Sequence, residues 1–205
     1  MCGIVGYIGH QPACPILIKG LKRLEYRGYD SSGIAVLQNG IDVSKKKGKV
    51  SDLELLLNEK SLNSTIGIGH TRWATHGEPN DVNAHPHRSN SGRLAMIHNG
   101  IIENYASLKQ DLIKRGYTFH SETDTEVFVN FVEHIQKEND LDIVEALRIA
   151  LSNIVGAYAV IIISEDEPDK LVAARKASPL VVGIGEDEFF LASDATPIVA
   201  FNGVI

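Results

Sequence analysis

The chain has 205 residues, 43% of them hydrophobic and 22% charged, with a formal charge of −6; that is an ordinary length and mix for one compact domain of roughly 100–200 residues. Mild acidity argues against a nucleic-acid groove, and the longest apolar run, Ala157 to Ile163, falls far short of the roughly 20 residues that cross a bilayer. Two cysteines, Cys2 and Cys14, cannot build a disulfide framework, so the expectation is a cytoplasmic protein with neither a nucleic-acid nor a membrane partner.

Gly3 to Ile8 predicts a strand starting almost at the terminus. Pro12 and Pro15 then open a helix carrying Leu17, Leu21 and Leu24 at helical spacing. Gly33 to Gln38 and Ile41 to Ser44 flank Asn39-Gly40, a strong hairpin signal. The basic cluster Lys45, Lys46, Lys47 and Lys49 reads as a solvated strand end. Ser51 with Glu54 predicts a capping box before Leu53, Leu56 and Leu57. Strands are expected at Thr65 to Thr71 and Leu94 to His98, separated by an aperiodic stretch, Gly77 to Gly92, of the kind that is functional or disordered inside a compact domain.

Three helices follow: Asn104 to Arg115, Asp124 to Lys137 with Val127, Phe128, Phe131 and Ile135 on one face, and Leu141 to Ile154 with Ile143, Leu147, Leu151 and Ile154. The tail reads as strands only: Ala157 to Ser164, Lys170 to Arg175, Leu180 to Gly185 and Glu188 to Ala192, joined at Glu165 to Asp169 and Glu186-Asp187 as solvated hairpins. Hairpin signals outweigh βαβ spacing, which predicts an α+β fold of antiparallel sheets covered by helices, without linker or repeat.

The chemistry begins at Cys2. If Met1 is removed, Cys2 carries a thiol and a free α-amine, and an amine of pKa near 8 can take the proton of a thiol of pKa near 8.5, directly or through one water. One residue then supplies nucleophile and base. From position alone, a small buried apolar cysteine is the plainer reading. The balance shifts with the motifs, because Met1-Cys2-Gly3-Ile4-Val5-Gly6-Tyr7-Ile8-Gly9 is similar to the opening of class II glutamine amidotransferases. Four more blocks narrow the match: Tyr26 to Gly33, Gly69 to Gly77, His98 to Tyr105 and Ser121 to Glu126. Together they resemble the glutaminase half of the glutamine–fructose-6-phosphate aminotransferase (isomerizing), or glucosamine-6-phosphate synthase, family.

That resemblance implies the N-terminal nucleophile hydrolase fold, a four-layer αββα sandwich with two antiparallel sheets between helical layers. It implies Cys2 as nucleophile, Asn99 and Gly100 as the oxyanion hole, and Arg27 close to the nucleophile as an orienting residue, with a structural salt bridge as the alternative for Arg27. Amide attack creates an oxyanion that needs fixed donors, and Asn99-Gly100 after a strand offers a side-chain NH₂ and a backbone N–H; alone, the pair also reads as a plain turn. For L-glutamine as substrate, Arg72 supplies a planar fork for the α-carboxylate. Asp124 supplies a carboxylate for the α-ammonium, set at the first helical position by a Thr123/Glu126 capping box. A surface ion pair for Arg72, and helix-start electrostatics for Asp124, are the alternatives without the family. Trp73, Thr75 and His76 belong to a loop that in the family folds over the substrate; core packing is the alternative for Trp73.

No metal or cofactor is expected: His70, His76, His85, His87 and His98 lack ligand spacing, and the family needs no metal for glutamine cleavage. Cys14 is read as structural. The resemblance further implies that ammonia passes to a sugar-phosphate isomerase half absent from this sequence, that the full-length form is a homodimer, and that residues 1–205 are one glutaminase domain cut short at its C-terminus. The rival readings are a non-catalytic glutamine- or partner-binding fragment, especially if Met1 persists, and another class II enzyme such as an amidophosphoribosyltransferase.

Overall fold

The computed structural model describes residues 2–73 and 77–202. Six strands form one antiparallel sheet in the order β3-β2-β4-β1-β10-β9: β1 (Gly3–Ile8), β2 (Ser31–Leu37), β3 (Ile41–Lys47), β4 (Ile66–Arg72), β9 (Val181–Gly185) and β10 (Glu188–Ala192). Four form a second, β5-β6-β7-β8: β5 (His87–Arg88), β6 (Leu94–Ile102), β7 (Gly156–Ser164) and β8 (Leu171–Lys176). Helices α1 (Ala13–Leu24), α2 (Val50–Leu57) and α6 (Thr196–Asn202) lie on the first sheet, and α3 (Tyr105–Lys114), α4 (Asp124–Asn139) and α5 (Ile143–Ser152) on the second. This is the four-layer αββα sandwich of the N-terminal nucleophile hydrolases.

The layering follows from strand parity, since alternate residues face opposite sides of a sheet. Ile4, Ala35, Ile66 and Ile68 of the first sheet and Ala95, Ile97, Ala159 and Ile161 of the second form the core between the sheets. Their neighbours Val5, Tyr7, Ile34 and Val36 face outward onto Leu17, Leu21 and Leu53. Leu94, Met96, Val160 and Ile162 face outward onto Phe128, Val132 and Leu147. The central strands β1, β2 and β7 are covered on both faces and read as nearly continuous apolar runs, while β9 and β10 leave Val182, Ile184 and Phe189 exposed.

Several expectations change. The second helix starts at Val50, one residue before Ser51, and the Asp52 carboxylate accepts from Lys49 N–H at 2.9 Å. Glu54 instead pairs with Lys22 at 2.6 Å, so the Ser51/Glu54 capping box is absent. The strand expected to stop at His98 runs on to Ile102, paired with β7 throughout, which puts Asn99-Gly100 inside a strand. Residues 83–87 of the aperiodic stretch are buried, and His87–Arg88 pairs with β6. Lys46, Lys47 and Lys49 are exposed as expected, while Lys45 is half-buried: its Nζ donates to Val82 O at 2.9 Å, and burial pulls its pKa down to about 8. The tail also ends in a helix, α6, which the strand-rich pattern before it does not announce.

Candidate active site

The site lies at the end of the sandwich where β1 begins, β4 and β6 end, and α4 starts. A cavity of about 250 Å³ there is lined by Cys2, Arg27, Arg72, Asn99, Gly100 and Asp124, with Trp73, His85, His98, Ile101, Thr123, Thr125, Ser178 and Pro179 completing its wall. A larger hollow of about 600 Å³, lined by Lys45, Asp81, Arg88 and Glu126 among others, has no cysteine in its wall, so size alone does not pick out the site.

Cys2 is fixed by the strand that follows it: Gly3 N–H donates to Thr71 Oγ1 at 3.1 Å, and Gly3 pairs with Thr71 of β4. The Cys2 sulfur accepts from Trp73 N–H at 3.2 Å and lies 3.5 Å from Trp73 O. Burial pushes the thiol pKa up, and the Trp73 N–H and the nearby Arg72 charge oppose that rise. Trp73 is 46% exposed and meets Tyr29 edge-on at 5.6 Å, which places it at the mouth of the cavity and outside the core.

Arg27 reaches the corner after β10, donating to Ser193 O at 3.1 Å with the Asp194 carboxylate at 3.5 Å. Ser193 in turn is tied to Ile4 by its hydroxyl at 3.0 Å and its N–H at 3.1 Å. Arg27 therefore steadies the N-terminal strand through Ser193.

Asn99 and Gly100 sit where β6 passes β1. The Asn99 Nδ2 donates to Cys2 O at 2.9 Å, and its Oδ1 lies 2.9 Å from His70 Nε2. Gly100 has φ of 131°, and a Cβ built there would come 2.0 Å from Ala157 O. No other residue keeps the strand paired while turning its backbone in this way.

Arg72 is buried at the end of β4, donating to Gly77 O at 3.2 Å and Glu78 O at 3.3 Å. Asp124 opens α4, where its Oδ2 accepts from Ile102 N–H at 2.8 Å and stands 3.9 Å from His98 Nδ1. Thr123 caps the helix by accepting from Glu126 N–H at 3.3 Å. Glu126 does not close the expected box; its carboxylate accepts from His120 N–H, Ser121 N–H and the Ser121 hydroxyl. Thr75 and His76 lie outside the described residues.

The other histidines form a buried layer under the cavity. His70 and His85 stack at 4.3 Å, and His85 meets His87 edge-on at 4.7 Å. His85 Nε2 bonds Thr125 Oγ1 at 2.8 Å, His87 Nε2 bonds Thr123 Oγ1 at 3.0 Å, and His98 Nδ1 bonds Thr125 Oγ1 at 3.1 Å. Burial pulls all four pKa values down, His70 to about 3, while the Asp124 charge resists the fall at His98. No group of three or more metal-ligating side chains stands among the described residues; His85, His87 and His98 each bond a threonine hydroxyl and His70 bonds Asn99, while Nδ1 of His70 and of His85 and Nε2 of His98 have no hydrogen-bond partner among the described residues. Thr123 and Thr125 stand in the Ser121 to Glu126 block without being singled out as wall residues, and the Ser178-Pro179 corner carries no sequence signal for the site.

Residues 70–200 match a family model described as a glutamine amidotransferase domain. The chain is 61% identical to the glutamine–fructose-6-phosphate aminotransferase [isomerizing] of Bacteroides thetaiotaomicron, over 98% of this chain and 33% of that protein. It is 58% identical to the enzyme of that name from Chlorobaculum tepidum, over 97% of this chain and 33% of that protein. It thus spans about a third of the curated relatives it matches. Among solved structures it is similar to the glutamine phosphoribosylpyrophosphate amidotransferase of B. subtilis, with a TM-score of 0.83 and 28% identity over 97% of this chain and 44% of that one. A glutamine aminotransferase class-II domain protein from Silicibacter pomeroyi shares the fold at a TM-score of 0.61 and 16% identity, covering 93% of this chain and 88% of that one.

Proposed function

The chain belongs to the glutamine amidotransferase family, and from that premise we propose that it cleaves the side-chain amide of L-glutamine with Cys2 as nucleophile. One observation carries this reading: a sulfur nucleophile, a carboxamide donor, a guanidinium and a carboxylate line one cavity of about 250 Å³. These four groups answer the four needs of a glutaminase, which must attack a carboxamide, hold its oxyanion, and grip an α-carboxylate and an α-ammonium.

The steps follow from that set. Removal of Met1 frees the Cys2 amine, which accepts the thiol proton. The thiolate attacks the γ-amide carbon of glutamine while Arg72 and Asp124 hold the head group; the incoming carboxylate competes for the Arg72 N–H groups that hold Gly77 O and Glu78 O. The oxyanion takes its hydrogen bonds from Asn99 Nδ2 and Gly100 N–H. Collapse breaks the C–N bond, the protonated amine returns its proton to the leaving nitrogen, and ammonia departs. Water, deprotonated by the same amine, then cleaves the γ-glutamyl thioester to glutamate and restores the thiol. Trp73, at the mouth, and the segment holding Thr75 and His76 close over the substrate in this reading, keeping water out until the thioester forms.

We further infer that the ammonia serves fructose 6-phosphate amination in a sugar-phosphate isomerase half of a longer, homodimeric enzyme. The 61% identity to proteins of that name, against 28% to the phosphoribosylpyrophosphate enzyme, favours this acceptor over a phosphoribosyl one.

Intact-mass analysis paired with a glutamate-release assay tests the proposal. Chains lacking Met1 should release glutamate from glutamine, and Cys2→Ala should release none. A fully processed chain that binds glutamine without turnover, with Cys2→Ala binding equally well, would leave only a binding module.

A further inference from the structure

We propose that His70 is a positioning residue for amide cleavage: it fixes which way the Asn99 carboxamide faces, and so presents the Asn99 NH₂ to the Cys2 side of the cavity. The inference rests on the hydrolytic reading above, but its geometry is independent of it.

Strand parity brings the two residues together. Ile66 and Ile68 of β4 face the second sheet, and Ala95 and Ile97 of β6 face the first. Two residues further along each strand, the same parity turns His70 and Asn99 toward each other across the inter-sheet layer. Their side chains meet at 2.9 Å, with His70 buried.

The direction of that bond is settled by two backbone carbonyls, which can only accept. His70 Nε2 lies 3.2 Å from His98 O, so Nε2 must carry the proton. The Asn99 atom facing that proton must then be the acceptor, Oδ1. The NH₂ is thereby turned the other way, where Cys2 O accepts from it at 2.9 Å. A flipped amide would set NH₂ against N–H at one end and oxygen against oxygen at the other, so each carbonyl opposes the flip.

His70 can hold that orientation because it has one available form. Its Nδ1 is buried with no hydrogen-bond partner among the described residues, and its ring stacks on His85 at 4.3 Å. A proton on Nδ1, whether in the other tautomer or in the cation, would be stranded. The neutral ring protonated at Nε2 is the form that satisfies its surroundings.

Four proteins with Met1 removed test this: His70→Phe, which keeps a stacking ring but no donor; His70→Gln, whose side-chain NH₂ can reach the place of Nε2; Asn99→Ala; and His70→Phe combined with Asn99→Ala. Long-range ¹H–¹⁵N spectra of the parent should show His70 protonated at Nε2 and bare at Nδ1. Since losing one oxyanion donor typically costs about 10²–10³ in kcat, His70→Phe should lose about 10- to 100-fold in kcat with KM for glutamine within about 3-fold. His70→Gln should recover most of the loss, and His70→Phe should slow Asn99→Ala no further.

An Nδ1-protonated His70, a kcat near the parent's in His70→Phe, a folded His70→Gln as slow as His70→Phe, or losses that multiply in the double variant would each overturn the proposal. A parent chain that releases no glutamate would overturn the hydrolytic reading instead. The claim for His70 would then be decided by the tautomer and by the Asn99 carboxamide resonances, which should move in His70→Phe and stay in His70→Gln. If His70→Phe does not fold, the tautomer and the His70→Gln kinetics decide.

Discussion

At the scale of single residues, the proposed mechanism separates groups that act on the reacting amide from groups that hold the head of the substrate, and kinetics can tell them apart. In that mechanism Asn99→Ala removes an oxyanion donor, so kcat should fall by about 10²–10³ with KM little changed. Arg72→Lys keeps the charge but loses the planar fork. Asp124→Asn loses the charge for the ammonium while keeping an oxygen for Ile102 N–H. Both should appear mainly as a rise in KM of about 10-fold or more, and steady-state glutamate release across a glutamine titration reads the difference; a Arg72→Lys chain with unchanged KM would remove Arg72 from the head-group site. Gly100 is constrained differently. With φ of 131° and a would-be Cβ 2.0 Å from Ala157 O, Gly100→Ala must distort the β6–β7 pairing, at a cost of about 2 kcal/mol or more. Thermal melts should show this as a drop of at least about 4 °C for a chain of this size.

At the scale of elements, α4 ties stability to the site. Thr123 caps the helix with its hydroxyl at 3.3 Å from Glu126 N–H and also bonds His87 Nε2 at 3.0 Å. Thr123→Ala removes both, so it should cost about 1–2 kcal/mol by the usual worth of such caps. Because Asp124 is the next residue, the same change should raise KM for glutamine, which a cap remote from the site would not do; melts and kinetics on the one variant test the pair of effects.

The sequence made those elements legible wherever a local rule decided the structure. Asn39-Gly40 closes β2 and β3 with φ of 51° and 109°, the positive pair that such a hairpin needs. Phe128 and Ile135 of α4 and Ile143 and Leu147 of α5 are buried where helical spacing sets them, while Phe131 and Leu151 stand at the edge of that core. Local rules failed where a distant partner decided. Glu126 follows Thr123 at capping-box spacing, yet Ser121 and His120 offer it three donors and the box stays open. Asn99-Gly100 has the composition of a turn, but pairing with Ala159 and Tyr158 of β7 keeps it in a strand. Cys2, Asn99-Gly100, Arg72 and Asp124, which line the candidate site, stand in motifs that resemble a family. The histidine layer beneath them was not legible, because nothing along the chain says that β4 and β6 face each other.

At the scale of the whole molecule, that layer makes stability depend on pH in a window of its own. His70, His85 and His87 are neutral in the fold because burial penalises their charged forms, with His70 held down to about 3. In the unfolded chain each returns to an ordinary pKa near 6.5. Below that value the unfolded state binds protons that the folded state refuses, so stability falls as pH falls, and the loss at His70 continues down to about pH 3. Each of the three adds to that fall between pH 6.5 and 5, where one proton's worth of slope is at most about 1.4 kcal/mol per pH unit. Carboxylates with depressed pKa values act lower down. At Glu133 the upward push of burial is outweighed by hydrogen bonds from Ser91, and Asp194 is held down by Thr196. Their contributions disappear only as pH drops below the ordinary carboxylate range, about 4. The interval between pH 6.5 and 5 therefore isolates the imidazoles. His98 counts for less there, because Asp124 at 3.9 Å favours its protonated form. Urea denaturation at closely spaced pH values should show the midpoint nearly flat from pH 8 to 7 and falling steeply from 6.5 to 5. In His70→Gln the slope over that interval should be shallower by about one proton's worth. A midpoint that stays level down to pH 5 would mean that these imidazoles are hydrated, and the packed layer that holds Asn99 in place would go with it.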